Sequence, residues 1–454
     1  MQEKVRNANI TRNLGIVSAT ALVVANMIGT GILTTSGIMA QYLPDALWVI
    51  GCWLFGGLIA LSGALCYSEL ATRMPEEGGE YIYLRKIYHP SLGFLTGWTS
   101  FFVGFSAPIA ASALSFVEYL FAGLNISSGG MTDDLILLKK SIAIGIILIF
   151  ISIHYVGLRL GAAVQNVLTM LKVLIIGGLA ALGILYAANP GPSGAAAGPG
   201  DTGMGIGVAM MLVMFSYSGW NASSYIAGEL KNPKKTLPVS LVSGTAVVVV
   251  LYLLLNIFIF RALPFKETQG TIAIVESAAV STFGGWMGDI LGLVISFTLL
   301  SSLSAFILIG PRVYYAMARD RMFFSFAAKI HPRYRVPGYS ILIQGGIAIV
   351  MLILGSFEQL LIYIGFALNV FPWLAISGLF FARRRGLGNE TAVNVWGYPF
   401  VPVFYLLSSL LLMIVAFTYR PLESGAAIIT ILIGVPIYFF WEKRIRKKAT
   451  LTQE

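Results

Sequence analysis

Residues 15–40 read GIVSATALVVANMIGTGILTTSGIMA. No charge interrupts this stretch, and as a helix rising 1.5 Å per residue it would cross a hydrocarbon core about 30 Å thick. Yet Asn26-Met27-Ile28-Gly29-Thr30-Gly31-Ile32 places Gly-Thr-Gly near its middle, and glycine is a poor helix former. A second stretch, 204–228, carries Phe215-Ser216-Tyr217-Ser218-Gly219-Trp220-Asn221 at similar depth. Backbone unwound at membrane depth is tolerated only where it is buried in protein or lines a watery cavity. Both stretches are therefore read as spans broken at their centres.

The rest of the chain has the same character. Of 454 residues, 57% are hydrophobic and 11% charged, against roughly 45–50% and about 25% in soluble domains. Apolar runs such as 46–65 and 161–187 are too long for barrel strands, which alternate over roughly 10 residues. The expected fold class is an all-α, polytopic membrane protein of twelve spans. They lie near 15–40, 46–71, 92–123, 140–157, 161–187, 204–228, 237–260, 286–315, 339–355, 359–381, 401–419 and 425–441. Collagen, coiled coil, disorder and a soluble enzyme are excluded.

The net charge of +10 is distributed as topology rather than as a nucleic-acid surface. Of the 30 Lys and Arg, 24 fall on the side of the N-terminus and its loops, 5 on the other side, and Lys172 inside span 5. The positive-inside rule places both termini in the cytoplasm. The expected location is the cell (inner or plasma) membrane, multi-pass. Cys52 and Cys66 share span 2, about 21 Å apart along one helix, too far for a disulfide. The first span follows a polar stretch and is too long for a cleaved signal peptide.

The two breaks are five spans apart. Spans 1–5 (15–187) and 6–10 (204–381) then correspond as five-helix halves, the second inverted because each half has an odd number of spans. Spans 11 and 12 (401–441) are additional, and 442–454 is a basic cytoplasmic tail. Interrupted spans at matching positions of inverted repeats point to a transporter binding site. The N-terminus of a resumed half-helix offers free amides and a positive dipole end to a carboxylate. Free carbonyls at the end of the first half suit an ammonium group. An α-amino acid presents both groups on one carbon and needs no charged side chain to hold it.

The residues VVANMIGTGILTTSG (23–37) and MFSYSGWNASSYIAGELKNPKKTLPVSLVSG (214–244) resemble the amino acid–polyamine–organocation superfamily, in its L-type amino acid transporter-like branch with bacterial exchangers. YSELATRMPEEGGEYIYLRKIYHPSLGFLTGW (67–98) and NVLTMLKVLIIGG (166–178) extend the resemblance across the chain. It implies a leucine-transporter-type 5+5 inverted repeat with helices 1 and 6 unwound at mid-membrane, working by alternating access. It further implies carboxylate binding by the amides of Gly29, Thr30 and Gly31, and ammonium binding by the carbonyls of Met27, Phe215, Ser216 and Ser218. The Phe215 ring would close over the substrate, and Asn221 would brace span 6. Lys172, unless it snorkels to an interface, would stand where sodium-coupled relatives hold sodium, tying a span 1 carbonyl near Ala25 or Met27 to span 5 beside Ser301 or Ser302 of span 8, either as a permanent charge or as a titrating group that permits proton coupling. The expected activity is sodium-independent exchange of neutral amino acids, with proton symport or cationic amino acid and polyamine transport as alternatives. Heteromeric relatives carry a cysteine between spans 3 and 4. Residues 124–139 have none, so no disulfide-linked heavy chain is expected.

Glu69, Glu118, Glu229, Glu276 and Asp289 sit at span ends or in loops and read as structural, with Glu118 the one placed to meet a cationic substrate. His154 reads as a packing histidine. Asn369 fits either helix–helix hydrogen bonding or a side-chain pocket, and Tyr217 and Trp220 fit either pocket wall or packing. Residues 76–88 suit a short amphipathic helix on the cytoplasmic face, and 189–203 a Gly/Pro/Ala-rich external loop. No metal site, cofactor or catalytic residue is expected: a dinucleotide loop would have to follow a strand, and no His-Glu-x-x-His, Gly-x-Ser-x-Gly or paired aspartates lie at mid-depth. A channel would repeat its filter by symmetry or ring it with charge.

Overall fold

The glycine-rich interruptions are where the helices end. A computed structural model describes residues 12–124, 126, 133–187, 202–354, 357–419 and 421–450. Its principal helices are α1 (Ile16–Met27), α2 (Gly31–Met39), α3 (Ala46–Arg73), α4 (Glu80–Ile87), α5 (Pro90–Gly123), α6 (Asp133–Val156), α7 (Leu158–Tyr186) and α8 (Thr202–Ser216). They continue as α9 (Pro233–Ala262), α10 (Ile274–Phe283), α11 (Trp286–Arg319), α12 (Gly338–Leu354), α13 (Phe357–Arg384), α14 (Phe400–Tyr419) and α15 (Pro421–Thr450). Among the described residues there are no strands, only isolated bridges of Leu14 with Leu230 and Glu77 with Ile226. Among the described residues, nine stretches, counting α1 and α2 as one, are long and apolar enough to cross a membrane.

Span 1 leaves α-geometry at Ile28, which is extended (φ −77°, ψ 100°), and resumes at Gly31. Span 6 stops being α-helical at Ser216, and Gly219 then takes φ +95°. The chain continues as short 3₁₀ turns, Ala222–Tyr225 and Ala227–Glu229. The second half of span 6 is thus not an α-helix, as a continuous 204–228 span would require. Span 3 carries its own irregularity, a π-helical segment at Ser100–Ser106, a feature that often marks function.

The breaks are held by a scaffold around them. Helix α9 packs against α1, α3 and α7, and α11 against α5 and α7. The buried side of α7 runs Leu158, Gly161, Ala162, Gln165, Thr169, Lys172, Ile176, Ala180 and Gly183, the three-to-four-residue stripe of a helix with one face inward. Its other face exposes Val167, Met170, Leu171 and Leu174, side chains suited to lipid.

Two expectations change. The amphipathic segment forms α4, but Glu80, Tyr81, Ile82, Tyr83, Leu84 and Ile87 are all buried, so it is packed into the protein rather than laid on its surface. Arg312, one of the 24 basic residues counted with the N-terminus and its loops, lies inside α11, 2% exposed, in a forked ion pair with Glu229 (2.8 and 3.1 Å). The basic run after 442 lies within α15, which continues to Thr450. Cys52 and Cys66 are both buried in α3. The expected loop at 189–203 lies almost wholly outside the described residues, as do 125 and 127–132 between spans 3 and 4.

Candidate functional site

A broken helix exposes carbonyls that must find donors, and the partners here are specific. Lys172, fully buried, places Nζ 2.6 Å from Ile28 O and 2.8 Å from Ser302 Oγ, while Ser302 Oγ donates to the same Ile28 O at 2.8 Å. The lysine therefore ties span 1 to α7 and α11, at Ile28 O rather than at Ala25 or Met27. Ser301, the next residue, turns the other way: its carbonyl accepts from Gln165 Nε2 and its hydroxyl meets Thr169. Successive helical residues point about 100° apart, so only one of the two serines reaches the lysine. Ala25 is buried among apolar neighbours.

The Tyr252 hydroxyl lies 2.9 Å from Met27 O and 3.0 Å from Ser216 O, donating to this pair. Phe215 O accepts from Ser218 N at 3.1 Å. Three of the four carbonyls assigned to an ammonium group therefore already have an internal donor, each keeping a second lone pair. Asn26 Nδ2 donates to Gly219 O (3.3 Å), and Thr35 and Ser216 hydroxyls meet at 3.2 Å, so the breaks are also joined directly. The fit is close: a Cβ on Gly31 would stand 2.4 Å from Ser216 Oγ and 2.9 Å from its Cβ.

Between the breaks lies a cavity of about 130 Å³, small beside the roughly 300–1,000 Å³ of drug-sized sites. Its lining includes Met27, Gly29, Thr30 and Gly31 from the first break, Phe215, Ser216, Ser218, Trp220 and Asn221 from the second, Ser302 from α11 and Asn369 from α13. Gly31 opens α2; Leu33 N donates back to Thr30 O (3.1 Å), and the amides of Thr30, Gly31 and Ile32 precede the first intrahelical acceptor. A side-chain atom at Gly29 would meet nothing within 4 Å, so the backbone here lies open to the cavity. Of the two residues left between wall and packing, Trp220 lines the cavity, whereas Tyr217 is fully buried away from it with its hydroxyl on Trp53 O (3.0 Å).

Sequence reasoning missed Glu80, Asn26 and the π segment of α5, all of which reach the lining. Glu80 Oε1 accepts from Tyr67 Oη (2.7 Å) and from Asn221 Nδ2 (2.6 Å), so Asn221 braces span 6 against α4. The available signal was Gly78-Gly79, both at positive φ, a turn that drives the next residue inward. Of the five acids read as structural, three form ion pairs: Glu69 with Arg73 and Arg383, Glu229 with Arg312, and Glu118 with Lys139 at 2.6 Å, on the surface. His154 is buried against Ser304 Oγ (2.8 Å).

Apolar helices broken twice around one small cavity, with the freed carbonyls held by Lys172 and two hydroxyls, define a membrane carrier of a small solute. The chain belongs to the amino acid permease family, whose model matches residues 14–438, and it is an amino acid transporter rather than an enzyme. It is similar to the serine/threonine exchanger SteT of Bacillus subtilis (29% identical, covering 96% of this chain and 98% of that one). It is also similar to the b(0,+)-type amino acid transporter 1 of Mus musculus (27%, 98% and 92%) and to the Asc-type amino acid transporter 1 of Homo sapiens (24%, 98% and 85%).

Proposed function

We propose that the protein exchanges small neutral L-amino acids across the cell membrane by alternating access, independently of sodium. The observation that carries this reading is the pair of backbone breaks facing one cavity of about 130 Å³. Gly29, Thr30 and Gly31 offer amides to the carboxylate, and Met27, Phe215, Ser216 and Ser218 offer carbonyls to the ammonium. Trp220 and Asn369 bound the side-chain end. The Lys172 Nζ between Ile28 O and Ser302 Oγ occupies the place where a sodium ion would otherwise be held. The similarity to a serine/threonine exchanger supports exchange of small polar or neutral substrates.

The same reading takes the chain as twelve spans in a 5+5 inverted repeat (15–187 and 204–381) with 401–441 added, both termini cytoplasmic, acting without a disulfide-linked heavy chain. A cationic substrate is disfavoured because Glu80, the lining carboxylate, is already engaged by Tyr67 and Asn221. Proton symport is the second reading, and the buried Glu80 beside the cavity is the observation that favours it.

The test is uptake of radiolabelled serine, alanine and leucine into proteoliposomes, empty or preloaded with unlabelled amino acid, with and without sodium or a pH gradient. Uptake that requires preloading and ignores sodium is expected. Accumulation in empty vesicles driven by a proton or sodium gradient would replace exchange by symport.

A further inference from the structure

Glu80 is a carboxylate 4% exposed, on a helix that does not cross the membrane, at the cavity wall. Its Oε1 takes hydrogen bonds from Tyr67 of α3 and Asn221 of the unwound segment, and the Tyr225 hydroxyl is a third donor. The loop before it is fastened to the same segment: Gly78 N donates to Tyr225 O (3.0 Å), and Glu77 bridges Ile226. At Gly79 (φ +52°) a Cβ would stand 2.7 Å from the Tyr225 ring, so the strap lies flat against span 6. Movement of the unwound segment away from α4 must break these contacts.

We propose that Glu80 is a proton-responsive latch on the substrate cavity: its ionised carboxylate holds Asn221, Tyr225 and Tyr67 to α4, and protonation releases the unwound segment and speeds exchange. An ionised carboxylate only accepts hydrogen bonds, whereas a protonated one must place an O–H. The proton takes Oε2 and leaves Oε1 a neutral carbonyl oxygen, a weaker acceptor for the Asn221 amide and the Tyr67 hydroxyl that both bond to it. Burial pushes the Glu80 carboxyl up to about 7, with the hydrogen bonds from Tyr67, Asn221 and Tyr225 pulling it the other way. Below that pH the latch is protonated, and above it ionised.

The groups facing Glu80 are tyrosines and Asn221: Tyr67 from α3, Tyr83 on its own helix, Tyr225 from span 6 and Tyr405 from α14. The surrounding charges are engaged elsewhere. Arg85 pairs with Asp320, Lys86 with Glu76, Arg73 and Arg383 with Glu69, and Arg385 reaches Ile87 O. No Lys, Arg or His among the described residues hydrogen-bonds or ion-pairs with Glu80.

The inference rests on the exchange reading above, and one experiment separates them. Serine exchange is measured in preloaded proteoliposomes with equal pH on both sides, from about 5.5 to about 8.5, which brackets the raised value. The wild-type rate should rise several-fold as pH falls through about 7. Glu80→Gln, which keeps the shape but not the charge, should run at the acidic rate at every pH. Tyr67→Phe removes a hydrogen bond to the ionised form and should move the inflection up by about one pH unit, a readout that stands even if Glu80→Gln fails to fold. A flat wild-type profile overturns the latch, as does a wild-type inflection surviving in Glu80→Gln, an unmoved inflection in Tyr67→Phe, or Glu80→Gln binding serine without exchanging it. Absence of wild-type exchange at every pH refutes the exchange reading itself, and the latch with it.

Discussion

Replacing Lys172 by Ala removes two donated contacts, 2.6 Å to Ile28 O and 2.8 Å to Ser302 Oγ. Hydrogen bonds from a charged donor contribute about 1.5–3 kcal/mol each. Two corrections reduce the sum. Ile28 O keeps the Ser302 hydroxyl as a donor at 2.8 Å, so it is not orphaned, and removing a buried ammonium recovers part of its desolvation cost. The net loss is about 2 kcal/mol, or roughly 30-fold in the population of correctly broken span 1. Because the lysine lies behind the break rather than on the cavity lining, the variant should fold and elute as a single species. Its serine exchange should fall at least roughly 30-fold, and Ser302→Ala, which leaves the lysine contact to Ile28 O, should lose less. The assay is initial exchange rate against serine concentration in preloaded proteoliposomes, normalised to reconstituted protein. If Lys172→Ala exchanges within about threefold of wild type, less than one such hydrogen bond is worth, the break does not depend on this contact and the reasoning fails.

Gly31→Ala drives a Cβ to 2.4 Å from Ser216 Oγ, and overpacking of about 1–3 kcal/mol should weaken serine binding roughly 5- to 150-fold. Ser216→Gly in the same chain should restore part of it, and equal affinities in the single and double variants would discount the clash. Tyr252→Phe leaves Met27 O and Ser216 O without their shared hydroxyl and should reduce exchange about tenfold, measured as for Lys172. Glu229→Gln strands the buried Arg312, which costs about 3–5 kcal/mol. Yield of folded protein should collapse, and replacing both residues by Met should recover thermal stability, checked by melting in detergent.

What the sequence makes legible here is whatever is out of place in lipid. A Gly-Thr-Gly in the middle of an apolar run has no reason in packing alone, so the break at 28–30 shows through. Lys172 shows for the same reason, and the stripe of buried positions on α7 confirms its side. What hides is rotation. Whether Ser301 or Ser302 faces the lysine, and whether its acceptor is Ala25, Met27 or Ile28, depends on how three helices are turned about their axes, and one residue is a turn of about 100°. Glu80 hides for a different reason: in a charged, amphipathic stretch an acid looks solvated, and only the Gly78-Gly79 turn beneath span 6 buries it.

These hidden residues also explain why two broken helices persist. The first break is tied to α7 and α11 by Lys172 and Ser302, the second to α4 by Asn221 and Glu80. Tyr252 of α9 binds both. Each break thus has an anchor of its own and one in common, so the two can shift as a unit against α11 or α4 without either carbonyl set losing all its donors. On the proposed reading, that arrangement would keep the carboxylate and ammonium subsites in register. It predicts that Tyr252→Phe should weaken binding and slow exchange together, whereas Glu80→Gln should change the rate and its pH dependence while leaving serine affinity near wild type.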